Sequence, residues 1–357
     1  MVFKSLVKSR TIFFWKFFSV YYSFYKRYKY VYSNGEFNEN KLTKIEKYDY
    51  LSYWKKICPI VSIKTVEVSK SLTGVYNKFI VPEEVYALYF EPYFNQRADS
   101  IFMENKNFYN KWFGNHYFPK DYFHKIDNVY YDGELNKIND IDSYIEDCDI
   151  DFPIVLKPSV DSFGGRDIYF IENKENLRKI YPDFKNLVVQ QKIQQSILMN
   201  KFNSESINTI RVCLVKLDGE FQVLNTSLRM GKDGSLDNET AGGIVCNISS
   251  NGKLNSYAVD KHCRKFFRHP NTNVVFETES LPFYSELIYS SKCIAEKIFN
   301  TNLISLDMCL DIDNKWRCIE LNLFGQTIRF AQYAGNPFFG NYTDKIVQDF
   351  IGKKVHI

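Results

Sequence analysis

The stretch "ISLDMCLDIDNKWRCIELN", residues 304–322, carries two carboxylates at a spacing that could bind a metal ion. Apolar and polar residues alternate on both sides of Asp313-Asn314, which predicts an antiparallel hairpin with these two residues as its turn. In that register Asp307 lies directly opposite Glu320. Like charges directly opposite each other destabilise a sheet, so this pairing needs an explanation.

A bound cation would remove the repulsion between the two carboxylates. Asn322 follows Glu320 by two residues and therefore lies on the same face of the strand as Glu320. Asp307, Glu320 and Asn322 offer only oxygen ligands, which suit Mg²⁺ or Mn²⁺ rather than zinc. The alternative is that each carboxylate is solvated or is paired with a lysine.

The same register makes further predictions. The first pair next to the turn is Ile312 opposite Lys315, and further along the strands Cys309 lies opposite Cys318. A disulfide between these two cysteines is conceivable, but the cysteines show no CxxC spacing, and we expect reduced thiols in a cytosolic protein. The eight cysteines are Cys58, Cys148, Cys213, Cys246, Cys263, Cys293, Cys309 and Cys318.

A second candidate element is "VLKPSVDSFGGRDIYFI", in which Lys157 ends an apolar strand before a Ser/Gly-rich loop. The loop joins two strands, so it is not a Walker A loop, which runs into a helix. Gly164 and Gly165 would let backbone N–H groups approach an anion closely, and Lys157 would bring a positive charge to it. The alternative is an ordinary hairpin turn beside a surface lysine.

Two arginines accompany these elements. Arg211 follows Asn208 at the start of a predicted strand, and Arg229 ends the next strand, shortly before Asn238. The planar guanidinium suits phosphate or carboxylate oxygens. The alternative for each arginine is a salt bridge on a sheet surface.

The elements that must position these residues are mostly strands after Phe152. Their order is strand, glycine loop, strand, helix, strand and then an antiparallel meander, which predicts an α+β fold. We predict strands at 153–158, 167–171, 187–193, 208–217, 221–230 and in the hairpin, and helices at 139–152, 175–184 and 281–299. We expect domains at 1–33, 34–150, 151–206 and 207–357.

Composition narrows the class of protein. A 357-residue chain with 45% hydrophobic and 25% charged residues is globular rather than disordered. The net charge of +4 is too small to indicate nucleic-acid binding. The segment before Glu36 contains no acidic residue and seven basic ones: Lys4, Lys8, Arg10, Lys16, Lys26, Arg27 and Lys29.

Residues 9–32, "SRTIFFWKFFSVYYSFYKRYKYVY", predict an amphipathic helix. Its uncharged runs are too short to span a bilayer, which requires about 20 apolar residues. Two interpretations remain, namely a helix packed on the body of the protein, or an anchor lying in the plane of an anionic membrane. The predicted aromatic face consists of Phe13, Phe14, Phe17, Phe18, Tyr21, Phe24, Tyr25 and Tyr28.

Taken together, Lys157 with its loop, "VVQQKI", "INTIRV", Arg229, and Asp307 followed by "IELN" resemble the ATP-grasp superfamily. Over roughly residues 95–345, "HPNTN", "LPFY", "SLDMCLD" and "CIELN" are most similar to its sugar-transfer-associated branch, which is linked to surface-polysaccharide synthesis. The resemblance implies two α+β subdomains that clamp a nucleotide, with a smaller N-terminal domain and the N-terminal helix beside them.

The resemblance also implies roles for particular residues. Lys106 and Lys157 would bind ATP phosphates beneath a flap that contains Ser162, Gly164 and Gly165. The backbone at Gln191, Lys192 and Ile193 would bind adenine, with Asn208 and Asn238 as further nucleotide contacts. Arg229, with Arg211 and Lys157, would act on the transferring phosphoryl group. Asp307, Glu320 and Asn322 would hold Mg²⁺ or Mn²⁺.

The implied activity is ATP-dependent carboxylate–amine ligation through an acylphosphate. The substrates would be a small-molecule or glycan carboxylate and an amine, in capsule or other surface-polysaccharide synthesis. The alternatives are a ligase that makes a small peptide-like product and an inactive nucleotide-binding scaffold at the membrane. We expect a cytoplasmic protein, either free or peripheral on the inner face of the membrane through residues 9–32.

Overall fold

The computed structural model describes residues 2–34, 41–114, 116–160, 167–235, 237 and 242–354. The strands are β1 (Asp121–Ile126), β2 (Val129–Asp132), β3 (Ile154–Pro158), β4 (Tyr169–Ile171), β5 (Leu187–Gln191), β6 (Thr209–Leu217), β7 (Glu220–Met230), β8 (Ile244–Ile248), β9 (Leu254–Val259), β10 (Lys265–Phe266), β11 (Leu303–Leu310) and β12 (Trp316–Asn322).

The helices of the described residues are α1 (Val2–Asn34), α2 (Lys44–Trp54), α3 (Lys64–Thr73), α4 (Glu83–Val85), α5 (Glu91–Phe94), α6 (Arg97–Ser100), α7 (Tyr109–Phe113), α8 (Ile141–Asp147), α9 (Lys174–Ile180), α10 (Ile197–Asn200), α11 (Tyr284–Ala295) and α12 (Thr343–Lys354). A π-helical turn joins α4 to α5. The predicted α+β class is confirmed.

The smaller sheet has five strands in the order β2-β1-β5-β3-β4, and all its neighbouring pairs are antiparallel. Asp127 and Asn128, both with positive φ, join β1 to β2, which is the conformation of a tight two-residue hairpin turn. Helices α8 and α9 supply apolar residues, Ile145 and Leu177, to the core against this sheet. The sheet takes β1 and β2 from before residue 151, where we predicted a domain boundary.

The larger sheet has seven strands in the order β10-β9-β8-β7-β6-β11-β12, again with antiparallel neighbours. One of its faces packs against α11 in the largest apolar core, which includes Leu287 and Ile294. Apolar residues elsewhere on this sheet, such as Val215 and Leu303, join a second core with the helices that precede β1 and with α12. The sheet is therefore a central layer with helices on both sides.

The hairpin of β11 and β12 confirms one predicted pair and corrects others. Asp307 is opposite Glu320 as predicted, but Cys309 is opposite Arg317 rather than Cys318. The turn is one residue longer than predicted, because the Asp311 N–H donates to the Lys315 carbonyl and residues 312–314 form the loop.

A bulge restores the predicted pairing at the base of the hairpin. The register shifts between Asp307 and Met308, so that Ile319 is an extra residue on β12. The longer turn and the bulge cancel each other before Asp307 is reached. All eight cysteines are free thiols.

Helix α1 extends over Val2–Asn34 and packs on the body of the protein along one side. Phe17, Tyr28 and Val31 are buried in apolar clusters. Phe18 and Tyr25 belong to the predicted aromatic face but are 60% and 56% exposed, so the aromatic residues are divided between an inner and an outer side. Among the described residues, no helix combines the length and apolarity that crossing a membrane requires.

Candidate active site

A row of side chains crosses the larger sheet at Asp307. Register pairs place Ser227 opposite Arg211, Arg211 opposite Asp307 and Asp307 opposite Glu320, on four neighbouring strands from β7 to β12. Asp307 therefore has a guanidinium on one side and a carboxylate on the other. Arg211 offsets the repulsion that made the Asp307–Glu320 pair unexpected.

Asp307 is held by two arginines. The Arg211 Nε and Nη2 donate to its two carboxylate oxygens at 2.9 and 2.7 Å, and the Arg229 Nη1 lies 3.3 Å from Oδ2. Burial by itself would raise the pKa of Asp307, but the charges of Arg211 and Arg229 outweigh it and lower the pKa to about 2. Asp307 is therefore ionised at neutral pH although it is buried.

The predicted metal ligands lie together. The Asn322 Nδ2 donates to Asp307 Oδ2 at 3.2 Å, while Glu320 lies opposite Asp307. Among the described residues, no cluster of three or more His, Cys, Asp or Glu side chains could hold a metal. Two carboxylates and an amide oxygen nevertheless fit Mg²⁺, which commonly takes one or two protein carboxylates and completes its shell with water and substrate phosphates.

The two predicted phosphate lysines approach β12 from outside the larger sheet, Lys157 from β3 of the smaller sheet and Lys106 from a 3₁₀ turn, Lys106–Phe108, that precedes β1. The Lys106 Nζ is 2.8 Å from a Glu320 carboxylate oxygen, and the Lys157 Nζ is 3.4 Å from the Ile319 carbonyl. Both lysines are at least 96% buried. The bulge residue Ile319 and its neighbour Glu320 thus meet two ammonium groups, one from β3 and one from the turn before β1.

The environment of Lys157 lowers its pKa to about 8. Burial is the main cause, and the charge of Lys106 adds to it, while Glu320 and Asp121 act in the opposite direction. Two buried ammonium groups near one another favour an anionic ligand, because a polyphosphate would relieve their repulsion.

A cleft opens on the Asp307 side of the larger sheet. Arg211 and Arg229 lie in its wall, and alternate residues of β6 and β7 face it because strand side chains alternate between the two faces. The lining residues are Arg211, Cys213, Asn225, Ser227, Arg229, Val245, Thr327, Phe330 and Ala331. Two guanidinium groups beside neutral polar and apolar side chains suit an organic acid.

The predicted adenine-binding segment leads from one sheet to the other. Gln191 ends β5, and its N–H donates to the Lys120 carbonyl at 2.8 Å. The Lys192 ammonium lies 5.3 Å from the centre of the Phe170 ring, and Ile193 is half-buried. Ser196 then donates its N–H to the Leu310 carbonyl of β11 at 2.9 Å.

Other predicted residues lie elsewhere or outside the described residues. Asn208 is fully buried, and its side-chain amide donates to the Met199 and Asn203 carbonyls at 3.1 and 2.8 Å. Its donor groups are thus used within the chain itself. Ser162, Gly164, Gly165 and Asn238 lie outside the described residues.

A polar cluster beneath the lysines was not predicted. Asp121 and His124 of β1 are buried, with His124 Nε2 3.5 Å from Asp121 Oδ2. Residues three apart on a regular strand point to opposite faces, but the register of β1 shifts between Asp121 and Phe123. This local bulge has no signature in "DYFHKI", so the sequence alone gave no signal for the cluster.

Two antiparallel sheets, with Lys157 on one and the carboxylates Asp307 and Glu320 on the other, agree with the ATP-grasp fold that the motifs predict. A family model described as "Sugar-transfer associated ATP-grasp" matches residues 182–346. This match covers less than half of the chain, and it confirms the resemblance drawn from the motifs. No curated protein matches the chain.

Solved structures are similar over part of the chain. An L-amino acid ligase from Bacillus licheniformis is 10% identical, with 65% of this chain and 42% of that chain covered and a TM-score of 0.38. The VanG D-Ala:D-Ser ligase from Enterococcus faecalis is 12% identical, with 69% of this chain and 61% of that chain covered and a TM-score of 0.41.

An N5-carboxyaminoimidazole synthase from Aspergillus clavatus, in complex with ADP and 5-aminoimidazole ribonucleotide, is also 10% identical. There the match covers 69% of this chain and 52% of that chain, with a TM-score of 0.40. The matched part spans about half the length of the solved proteins to which the chain is similar.

Proposed function

We propose that the chain is an ATP-dependent, ADP-forming carboxylate–amine ligase. The observation that carries this proposal is the contact of Lys106 and Lys157 with β12. There Lys106 pairs with Glu320 and Lys157 reaches the Ile319 carbonyl, one strand away from the Asp307–Arg211 pair. Such a concentration of buried opposite charges is typical of a site for a metal-bound polyphosphate.

Each group has a part in the proposed mechanism. Lys106 and Lys157 bind the phosphates as point charges, and the backbone at Gln191, Lys192 and Ile193 binds adenine. Asp307, Glu320 and Asn322 hold Mg²⁺ or Mn²⁺, which when bound neutralises phosphate charge. Ser162, Gly164, Gly165, Asn208 and Asn238 remain proposed nucleotide contacts.

Arg229 and Arg211 stabilise the negative charge that develops on the transferring phosphoryl group. The terminal phosphoryl group moves from ATP to a substrate carboxylate oxygen, and the bond to the ADP oxygen breaks. An amine then attacks the acyl carbon of the acylphosphate, inorganic phosphate leaves, and the amine proton passes to solvent. No step requires a side-chain nucleophile, so positioning and charge stabilisation suffice.

We place the carboxylate substrate at the cleft that the two arginines line. We propose a sugar acid of a capsular or other surface polysaccharide, since the matched family is described as associated with sugar transfer. A small peptide-like product is the alternative within ligases. An inactive scaffold is less favoured, because the chain retains its carboxylates, its lysines and its arginines together.

The experiment is an ADP-release assay with Mg²⁺, screening glycan acids and amines in pairs. ADP formation that requires both a carboxylate and an amine is the expected result. Hydroxylamine can replace the amine to trap the acylphosphate as a hydroxamate. A protein that binds MgATP yet releases no ADP with any acid would favour the scaffold.

We also propose that the outer side of α1 lies on an anionic membrane surface at the cytoplasmic side. Trp15, Phe18, Tyr22 and Tyr25 follow one another at helical spacing and are 76%, 60%, 57% and 56% exposed. The exposed lysines Lys16, Lys26 and Lys29 accompany them. Exposed aromatic and basic residues on one helix favour the interface of an anionic leaflet.

Cosedimentation with lipid vesicles tests the membrane proposal. The protein should sediment with vesicles that contain anionic lipid, and less so at high salt, because salt screens the lysine charges. Replacing the four exposed aromatic residues of α1 by serine should abolish this binding. A control with the exposed Tyr48, Tyr289 and Phe299 replaced should bind normally; equal binding by both variants would contradict the proposal.

A further inference from the structure

Asn322, the neutral residue of the proposed metal site, is the last residue of β12. In the ladder it lies opposite Ser305 of β11, and Ser305 lies opposite Cys213 of β6. Ser305 is two residues from Asp307 on the same strand, so this row shares the face of the sheet on which Asp307 lies. The ladder ends at Asn322, and further contacts must hold this residue in place.

The side chain of Gln326 bridges the end of β12 and the neighbouring strand β11. Its Nε2 donates to the Asn322 carbonyl at 3.2 Å, and its Oε1 accepts from the Ser305 hydroxyl at 2.5 Å. Ser305 is fully buried. Gln326 therefore connects the backbone of Asn322 to a fixed point in the interior of the sheet.

Each bond of this bridge joins a donor to an acceptor. The Asn322 carbonyl can only accept, so the Gln326 atom beside it is the amide nitrogen, and the amide oxygen accepts from Ser305. The single proton of the Ser305 hydroxyl is then used, so the Cys213 thiol donates to Ser305 Oγ at 3.0 Å. Burial raises the pKa of the Cys213 thiol to about 11, so the thiol carries its proton at neutral pH.

The side-chain amide of Asn322 also has a defined orientation. Asp307 is ionised and can only accept, so the Asn322 Nδ2 is the atom that faces it, at 3.2 Å from Oδ2. The Asn322 Oδ1 is then the atom that can bind a cation. This orientation depends on the position of the Asn322 backbone, which Gln326 and Ser305 hold.

The residues before β1 fix the main chain that follows β12. The Leu323 N–H donates to Glu104 Oε1 at 3.3 Å, and the Leu323 carbonyl accepts from the Asn95 side chain. The Gln326 N–H donates to the buried Glu91 of α5 at 2.9 Å. The side chain of Gln326 therefore starts from a fixed backbone position.

We propose that Ser305 and Gln326 are positioning residues that hold Asn322 in the orientation in which its amide oxygen can bind a divalent cation. This inference rests on the proposed function, since it assumes that Asn322 is a metal ligand. Ser305 and Gln326 act through Asn322 and bind neither the nucleotide nor the metal.

The experiment measures two dissociation constants of the full chain by calorimetry, one for ADP with Mg²⁺ and one for ADP with EDTA. Ser305→Ala and Gln326→Met should each weaken MgADP binding about tenfold, because removing a partner that orients a metal ligand typically lowers metal affinity by at least this factor. Methionine keeps the length of the glutamine side chain but has no donor for Asn322. The dissociation constant of metal-free ADP should be unchanged.

Two matched controls use residues outside the site. Ser291 is a fully buried serine of α11 whose hydroxyl has no hydrogen-bond partner among the described residues. Gln222 lies on β7 of the same sheet and is half-buried, as Gln326 is. Ser291→Ala and Gln222→Met should bind ADP as the wild type does, both with Mg²⁺ and without it.

The double variant Ser305→Ala/Gln326→Met tests whether the two residues act through one bridge. The Ser305 hydroxyl reaches Asn322 through Gln326, so the double variant should bind MgADP about as weakly as Gln326→Met alone. Independent effects would multiply to roughly a hundredfold.

The inference would be overturned by multiplied effects in the double variant, by equal losses of affinity with and without Mg²⁺, or by single variants that bind MgADP as the wild type does. If Gln326→Met does not fold, Ser305→Ala, which removes only one hydroxyl, decides by the same two constants. A wild type that binds no MgADP, or that binds ADP equally well without Mg²⁺, would instead refute the proposed function and its metal site. That result differs from a metal-dependent wild type beside unaffected variants, which refutes the positioning role alone.

Discussion

At the scale of single residues, Asp307 is where the two proposed roles of the site meet. It ion-pairs with Arg211 and Arg229, and it shares the face of the sheet with Glu320 and Asn322. A residue that ion-pairs with two arginines and that we also propose as a metal ligand should be intolerant of even an isosteric change.

Asp307→Asn should therefore lower ADP formation at least a hundredfold, because the variant loses a metal ligand and the anchor of both arginines. The assay is ADP release under saturating substrates. Asp313→Asn is the control, since Asp313 is exposed in the hairpin loop, and it should retain full activity. Full activity in Asp307→Asn would refute the metal assignment.

The same variant should lose stability in a pH-dependent way. The pKa of Asp307 is about 2 in the folded protein and about 3.9 in an unfolded chain. Asp307 therefore stabilises the fold above pH 4 by roughly 2 to 3 kcal/mol, and this contribution is lost as the pH falls toward 2.

Chemical denaturation in metal-free buffer measures this effect. Asp307→Asn should be less stable than the wild type at pH 7, and the difference should shrink on acidification. A stability difference that stays constant between pH 7 and pH 3 would contradict the lowered pKa of Asp307.

At the scale of elements, an extra loop residue and a bulge limit what the sequence could predict about the β11–β12 hairpin. Alternation in residues 304–322 correctly predicts the β11–β12 hairpin and the Asp307–Glu320 pair. The same reasoning places Cys309 opposite Cys318, which is wrong, because neither the extra loop residue nor the bulge at Ile319 changes the alternation pattern visibly. The correct pairing at Asp307 results from two displacements that cancel.

The limits of prediction are the same in the smaller sheet. Strands β3, β4 and β5 are predicted, whereas β1 and β2 are not, since every residue of β1 before Ile126 is buried and its sequence shows no alternation. The contact of Lys106 with Glu320 joins residues 214 positions apart. Periodicity reports only local structure, and Lys106 was assigned solely through its resemblance to a family motif.

At the scale of the whole molecule, buried acids link global stability to pH. Glu84 is fully buried where α4 meets the loop before α3, and its Oε1 accepts a bond from the Ser62 N–H at 2.7 Å. Burial raises its pKa to about 7. An unfolded glutamate has a pKa near 4.3, so the fold loses stability as the pH rises through this interval.

Glu84→Gln removes this titration. Relative to the wild type, the variant should gain up to about 3 kcal/mol between pH 5 and pH 8, because it has no carboxyl group to ionise. The corresponding relative shift in melting temperature is roughly 4 °C for a chain of this size. Glu220→Gln, at an exposed position, should show the same difference from the wild type at both pH values.

Helix α1 has a consequence for how the molecule could be controlled. Tyr28 and Val31 belong to the same apolar cluster as Val245 and Phe330, and these two residues also line the cleft. Tyr25, on the outer side, is less than one helical turn from Tyr28. If α1 binds a membrane surface as proposed, that contact and the wall of the cleft are joined through one apolar cluster. We therefore expect a displacement of α1 to change the positions of Val245 and Phe330.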